Sequence, residues 1–118
     1  MKRLFPALVL LGLCGCSALT PAALPTEGTF RIRYPGAASV QLVGDWNCWG
    51  GLSSAGGMLD PESGAMTPGA DGYWTATVDL PRGRYRYAFI VDGSIWMPDE
   101  SNHVRTTYEG REVSVFIK

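Results

Sequence analysis

The chain is poor in the residues that carry several common functions. Its 118 residues include three cysteines and one histidine, too few for the disulfide framework of a small secreted domain or for a cysteine–histidine metal cluster. Ten lysines and arginines are balanced by eleven aspartates and glutamates, with no basic cluster. Because nucleic-acid binding depends on clustered positive charge, these counts argue against a nucleic-acid partner.

A catalytic constellation is also missing from the sequence. The single histidine, His103, has neither a cysteine nor a metal-ligand spacing near it. Asp92, Asp99 and Glu100 come closest to a carboxylate cluster, but a few acidic residues close together are common in solvent-exposed loops. These residues also lack the regular ligand spacing of calcium-binding loops. No nucleophile, base and orienting group can be assembled from these residues. We therefore expect a protein that is not an enzyme and that has no metal and no cofactor.

The longest apolar run lies at the N-terminus and is short. Lys2 and Arg3 precede an apolar segment, residues 4–13, which is too short to span a bilayer as a helix and is typical of a signal peptide. The tetrad LCGC at residues 13–16 follows and resembles a bacterial lipobox, with an aliphatic residue three places before the modified cysteine. The resemblance implies a signal peptide over residues 1–15, lipidation of Cys16 by palmitate-like chains, and a tether over residues 16–28. An ordinary secretory signal with incidental cysteines is the alternative.

Lipidation would fix both the location and the charge of the mature chain. Two or three acyl chains anchor firmly, since each buried methylene contributes about 0.8 kcal/mol. Ser17 stands where an inner-membrane retention signal would place aspartate, which favours an outer-membrane lipoprotein on either its periplasmic or its surface face. Removing Lys2 and Arg3 from the ten basic residues leaves eight against eleven acids, a net charge of −3. With Cys16 acylated, Cys48 is expected to be a packed apolar residue or a free thiol.

From residue 29 onward the hydrophobic pattern is that of β-strands. Apolar and polar residues alternate in segments bounded by glycine, proline, asparagine and aspartate. The clearest segment, residues 84–91, is followed by Asp92-Gly93, which predicts a tight hairpin turn. Further strands are predicted over residues 29–34, 39–43, 74–80, 95–97 and 113–118. About seven short antiparallel strands without helices predict an all-β, immunoglobulin-like sandwich over residues 29–118, with residues 50–68 as a long loop.

Five short motifs occur in an order that is typical of one family of binding modules. They are VQLVGDWNCW at residues 40–49, DGYW at 71–74, VDLPRG at 78–83, YRYAFIVDG at 85–93, and the downstream pair Trp96 and Asp99. Together they resemble carbohydrate-binding module family 48, the glycogen-binding domains found in the β subunits of AMP-activated kinase and as early-set domains of branching and debranching enzymes. The resemblance implies an early-set sandwich that binds an α-1,4-glucan such as glycogen or a maltodextrin.

The resemblance also implies where the sugar binds. A pyranose ring has an apolar face, and a shallow site needs exposed aromatic rings to cover it. Trp46 and Trp74 follow the pattern of core residues. Trp49 and Trp96 hold the positions of the tryptophans that stack on glucose units in family members that bind glycogen. We therefore expect these two indole rings to stand exposed, side by side, at one edge of the sandwich.

The polar part of the implied site departs from the family pattern. The family's ligand-contacting lysine falls at Ala88, which has no side-chain hydrogen-bonding group. Arg86, two residues earlier on the same strand face, is the candidate substitute. The family's asparagine falls near Glu112, beside Arg111, and either side chain could bond a hydroxyl. Tyr108 is placed to give the apolar contact that leucine gives in some relatives.

The leading hypothesis is a lipid-anchored, non-catalytic carbohydrate-binding module that stacks α-glucan on Trp49 and Trp96, with Arg86, Tyr108 and Glu112 as further contacts. The alternative is an envelope lipoprotein that uses the same sandwich for protein–protein interaction or structure, without sugar. The missing lysine motivates this alternative, and so does location, because an outer-membrane protein meets maltodextrins, other envelope glycans or partner proteins rather than cytoplasmic glycogen.

Overall fold

The computed structural model describes residues 28–118. The predicted signal peptide over residues 1–15 and the lipidation site Cys16 lie outside the described residues, as does the tether up to residue 27. Residues 28–118 contain eight β-strands and no α-helix, arranged as two antiparallel sheets. The prediction of an all-β early-set sandwich is confirmed. The described residues contain no helix long and apolar enough to cross a membrane.

The strand bounds follow the predicted alternation closely. The strands are β1 (Thr29–Arg33), β2 (Val40–Gly44), β3 (Thr67–Pro68), β4 (Tyr73–Thr77), β5 (Arg84–Val91), β6 (Ile95–Met97), β7 (Arg105–Tyr108) and β8 (Arg111–Ile117).

The smaller sheet has three strands in the order β1-β4-β3. The β1–β4 ladder is antiparallel and pairs Thr29 with Thr77 and Arg33 with Tyr73. Since successive side chains of a strand point to opposite faces, Phe30 and Ile32 turn toward the interior while Arg31 and Arg33 are exposed. The sheet therefore has one apolar face and one solvated face.

The larger sheet has five strands in the order β2-β5-β8-β7, with β6 also paired to β5. The turn between β5 and β6 has positive φ angles, 54° at Asp92 and 76° at Gly93, and Ser94 N donates to Val91 O at 3.1 Å. This is the tight hairpin that the Asp-Gly pair predicted. The turn sets Trp96 beside β5, opposite Ile90.

The main core fills the space between the two sheets. Trp74 is buried there, and its indole Nε1 donates to Tyr34 O at 3.2 Å. Trp46 packs against the same cluster, with its ring centroid 5.9 Å from that of Phe30. The prediction that these two tryptophans belong to the core is confirmed. The buried members of this cluster are Phe30, Val40, Leu42, Met66, Trp74, Tyr87, Phe89 and Val91.

Two strands were missing from the prediction, and both have physical reasons. β7 reads RTTY and has no apolar alternation, because it is the outermost strand of its sheet and is held through its ladder with β8. β3 is two residues long. The fourth strand ends at Thr77, earlier than the predicted residue 80.

Cys48 differs from both states expected for it. The residue is buried, but it is disulfide-bonded, so the expectation of an unpaired cysteine, packed or free, is wrong.

Candidate functional site

The outer face of the five-stranded sheet carries a second apolar cluster. Strands β2, β5 and β8 present Val43, Ala88 and Val113 on this face, together with Ile90. A face turned to solvent would carry polar side chains, yet these residues are buried because a long loop covers them. Trp49 belongs to the same cluster, and Leu52 and Leu59 from the loop pack against it. The loop therefore closes this face of the sandwich.

A tight 3₁₀ turn, Cys48–Gly51, brings Trp49 onto the sheet. Both Cys48 and Trp49 have positive φ angles, 58° and 54°, which are uncommon for residues other than glycine. The side chain of Asn47 holds the turn: its Oδ1 accepts from Gly44 N at 2.9 Å and from Gly50 N at 3.3 Å. These bonds stabilise a backbone that points the indole back over the sheet.

The rest of the loop is fastened along the free edge of β2. The buried Gln41 donates from Nε2 to the carbonyl oxygens of Asp60 at 2.8 Å and Ser63 at 2.9 Å. Leu42 N donates to Gly64 O at 2.8 Å. The predicted loop is thus a fixed cover whose backbone is bonded to the sheet.

Trp49 lies in a stack of three aromatic rings, which we call the aromatic stack: Trp49, Trp96 and Tyr108. The ring of Tyr108 is 4.1 Å from that of Trp49 and nearly parallel to it, at 9°. The ring of Trp96 is 5.8 Å from Trp49, at 20°. Three predicted site residues, Trp49, Trp96 and Tyr108, are therefore brought together.

The exposure predicted for Trp49 is wrong. Its side chain is only 2% exposed, so neither face of the indole is open to solvent. The cause is the covering loop combined with Tyr108, which packs flat against the ring. Trp96 and Tyr108 are partly exposed, so the accessible aromatic surface belongs to them.

Two arginines lie over the partly exposed rings. The Arg111 guanidinium carbon is 4.6 Å from the centroid of Trp96, and that of Arg86 is 5.3 Å from the centroid of Tyr108. Guanidinium groups at such distances are attracted to the negative face of the ring. Each accessible ring is therefore in contact with a cation.

Arg86 is committed to an internal partner. Its Nε and Nη2 donate to the two carboxylate oxygens of Asp45 at 3.2 Å and 3.0 Å, and its backbone N donates to Asp45 Oδ2 at 2.8 Å. The hydrogen bond to Asp45 raises the pKa of Arg86. This bidentate pair fixes the guanidinium over Tyr108. Arg86 therefore helps to hold the Tyr108 ring in the aromatic stack.

Glu112 is also engaged within the chain. Its Oε2 pairs with Arg105 Nη1 at 3.2 Å. Its backbone oxygen accepts a hydrogen bond from the indole Nε1 of Trp96 at 3.1 Å. Through its backbone, Glu112 therefore sets the orientation of the Trp96 ring.

An open cleft lies against the aromatic stack. Its volume is about 460 Å³. Trp96 and Tyr108 supply its apolar surface, and Arg111 supplies a guanidinium group. The sequence predicts Trp96, Tyr108 and Arg111 as contacts but not the other lining residues, because their contribution depends on how the loop and the β7–β8 turn fold. The lining residues are Leu52, Ser53, Trp96, Tyr108, Glu109 and Arg111.

The described part of the chain contains no group of three or more histidine, cysteine, aspartate or glutamate side chains that could hold a metal ion. His103 is exposed in the segment before β7.

Comparison with known families agrees with the β-sandwich fold. The family model described as the glycogen recognition site of AMP-activated protein kinase matches residues 26–116. The chain belongs to this family. No curated protein matches the chain. The glycogen-recognition family is a family of carbohydrate-binding modules, which are not catalytic, and an α-glucan is the class of partner that it supports.

Proposed function

We propose that this chain is a non-catalytic module that binds α-1,4-glucan in the cleft beside the aromatic stack, with Trp96 as the stacking surface and Tyr108 as a further apolar contact. The observation that carries the proposal is the cleft itself, which joins two partly exposed aromatic rings to charged and hydroxyl groups in a member of the glycogen-recognition family. This assignment moves the contact surface from Trp49 to its neighbours.

The cleft offers both kinds of contact that a glucose unit needs. The C–H face of the pyranose packs on an aromatic ring, while its hydroxyls need donors and acceptors at the rim. Arg111 supplies donors, Glu109 supplies acceptors and Ser53 supplies both. Arg111 would release the face of Trp96 when the sugar arrives and bond its hydroxyls instead.

Trp49 supports the site from beneath. It stacks on Tyr108 and Trp96 and is buried in the outer cluster, so its ring holds the two accessible rings in place. Preorganised rings lose little conformational entropy when the ligand binds. In this proposal Trp49 contributes to affinity by fixing the surface that the sugar meets.

The expected affinity is modest. If each of two rings removes about 50 Å² of apolar surface from water, stacking contributes about 2.5 kcal/mol at 25 cal/mol/Å². Hydrogen bonds of about 1 kcal/mol each, set against the cost of association, leave a dissociation constant in about the millimolar to high-micromolar range. Many copies on one surface would bind a polymer more tightly through avidity.

Retardation of the full chain in native gels containing glycogen tests the proposal. We expect the wild-type chain to be retarded and Trp96→Ala to migrate as it does without glycogen. Trp46→Phe is the matched control, because Trp46 packs against the inner core and should leave retardation unchanged. Equal migration of the wild type with and without glycogen would contradict the proposal.

We further propose that the module is anchored to the outer membrane of a bacterial envelope through lipid on Cys16. The support is the N-terminal sequence: Lys2 and Arg3, the apolar segment 4–13 and the lipobox-like LCGC. Metabolic labelling with radioactive palmitate tests it. We expect label in the wild type and in Cys14→Ser but none in Cys16→Ser; label in Cys16→Ser would refute the assignment.

A further inference from the structure

The three rings of the aromatic stack differ in how their faces are covered. Trp49 is 2% exposed, so neither of its faces is open to a ligand. Tyr108 lies 4.1 Å from Trp49 and nearly parallel to it, and the guanidinium of Arg86 lies over the same ring at 5.3 Å. Asp45 holds that guanidinium through two side-chain hydrogen bonds. The faces of Tyr108 are therefore covered by groups that the fold fixes in place.

Trp96 differs because one of its covers is not anchored. Trp49 packs against the ring at 5.8 Å, and the guanidinium of Arg111 lies over it at 4.6 Å. Arg111 is exposed, and its guanidinium has no ion-pair or hydrogen-bond partner within residues 28–118. A cation–π contact at an exposed site is weak. Arg111 can therefore leave the ring at little cost, whereas Arg86 is held by its carboxylate.

The Trp96 ring itself is held in one orientation. Its indole Nε1 donates to Glu112 O at 3.1 Å, and its backbone is paired to β5 opposite Ile90. Both Trp96 and Arg111 line the cleft. Displacement of Arg111 therefore opens one face of a fixed indole to the cleft, and no other ring of the aromatic stack has a face that one unanchored side chain covers.

We propose that the cleft stacks a single glucose unit on the face of Trp96 that Arg111 covers in the free protein, and that its ligands are short α-glucans, down to maltose. This ligand class rests on the glucan binding proposed above. A neighbouring unit would meet Tyr108 where that ring lines the cleft. Longer chains gain no second stacking face, so they bind little more tightly than short ones.

The size of the cleft agrees with a short ligand. Its volume of about 460 Å³ lies in the lower half of the range of about 300–1,000 Å³ that is usual for small-molecule sites. Leu52 and Ser53 of the covering loop and Glu109 of the β7–β8 turn complete its lining. The polar groups that can bond sugar hydroxyls therefore lie close to Trp96 and are not spread along the sheet.

Titrations of the full chain with maltose and with maltoheptaose test the ligand class, with the Trp96 indole Nε1 signal in NMR spectra as the readout. We expect maltose to bind less than about eightfold more weakly, because about eightfold is what one further stacked ring would contribute from about 50 Å² of apolar surface. The smaller difference that remains reflects the number of glucose units able to occupy the ring. A difference of more than about eightfold would overturn the single-unit site.

The side-chain proton signals of Arg111 test the displacement. Protons over the face of an indole resonate at higher field, so in the free chain these signals should lie upfield of those of Arg82, an exposed arginine. Saturating maltose should move them toward the Arg82 values, and Trp96→Ala should do so without sugar. If maltose shifts the Trp96 indole while the Arg111 signals stay in place, stacking on this face is overturned and glucan binding stands. If neither sugar shifts the indole, both proposals fail.

Discussion

Replacing Trp49 by alanine tests whether its indole is buried, because a buried and an exposed tryptophan predict different losses of stability. In the structure the ring is 2% exposed and stacks on Trp96 and Tyr108. Trp49→Ala removes the central member of the aromatic stack and leaves a cavity over Val43 and Ala88. The variant should therefore lose stability, whereas truncation of a solvent-exposed tryptophan would change stability little.

The size of the loss follows from the buried area. A buried tryptophan removes about 200 Å² from water, which at 25 cal/mol/Å² is about 5 kcal/mol as an upper value. Measured tryptophan-to-alanine substitutions in cores cost about 3–5 kcal/mol. We expect a decrease of about 4 kcal/mol in the free energy of unfolding, or about 15–30 °C in melting temperature for a domain of this size.

Urea unfolding followed by far-ultraviolet circular dichroism measures this loss. Trp49→Phe is the matched control, because it keeps an aromatic ring in the stack and should lose less than half as much. A decrease below about 1 kcal/mol for Trp49→Ala would refute the packing described here. It would mean that the indole stands in solvent, as the family motif suggested.

Three further substitutions probe the loop, the sheet and the core. Ala88→Lys should lower the free energy of unfolding by about 3 kcal/mol, because Ala88 is 0% exposed and a larger, charged side chain must displace the covering loop. Unchanged stability together with stronger glucan binding would show that the face is open at this position. Gly64→Ala should loosen the loop, because Gly64 has φ +70° and a Cβ there would collide with Leu42 O. Hydrogen exchange at the Leu42 amide measures this loosening. Unchanged protection of that amide would count against a loop fixed to the sheet. Burial raises the pKa of Tyr87, so above pH about 10 the unfolded chain loses this proton first and stability falls as pH rises. Urea titrations from pH 8 to 11 should show a smaller fall in Tyr87→Phe, and an equal fall in both would exclude this cause.

The sandwich was predictable because apolar and polar residues alternate clearly along most of its strands. β5 was predicted with its observed bounds, since Tyr85, Tyr87, Phe89 and Val91 recur at every second position and Asp92-Gly93 marks its end. β7 was not, because its polar residues are ordered by their pairing with β8 rather than by burial. The alternation of apolar and polar residues cannot reveal a strand that is held by its ladder with a neighbouring strand rather than by burial.

The grouping of Trp49 and Trp96 was predictable from the sequence, but the burial of Trp49 was not. The motif placed Trp49 and Trp96 together, and the structure shows them stacked. What the motif could not show is that the loop returns along β2 and buries Trp49, because this depends on backbone bonds from Gln41 and Leu42 to the loop. Ala88 was the available signal: a small residue in place of the family's lysine leaves room for an indole to lie on the sheet.

The most direct test of the central claim is a titration of the full chain with maltoheptaose, followed by the indole Nε1 signals in NMR spectra. We expect a saturable shift of the Trp96 signal, with a dissociation constant in about the high-micromolar to millimolar range. The Trp74 signal, from the core, should not move. Glucan binding in this cleft would be contradicted if the Trp96 signal did not shift at saturating sugar. It would also be contradicted if the sugar shifted the other indole signals equally in the wild type and in Trp96→Ala.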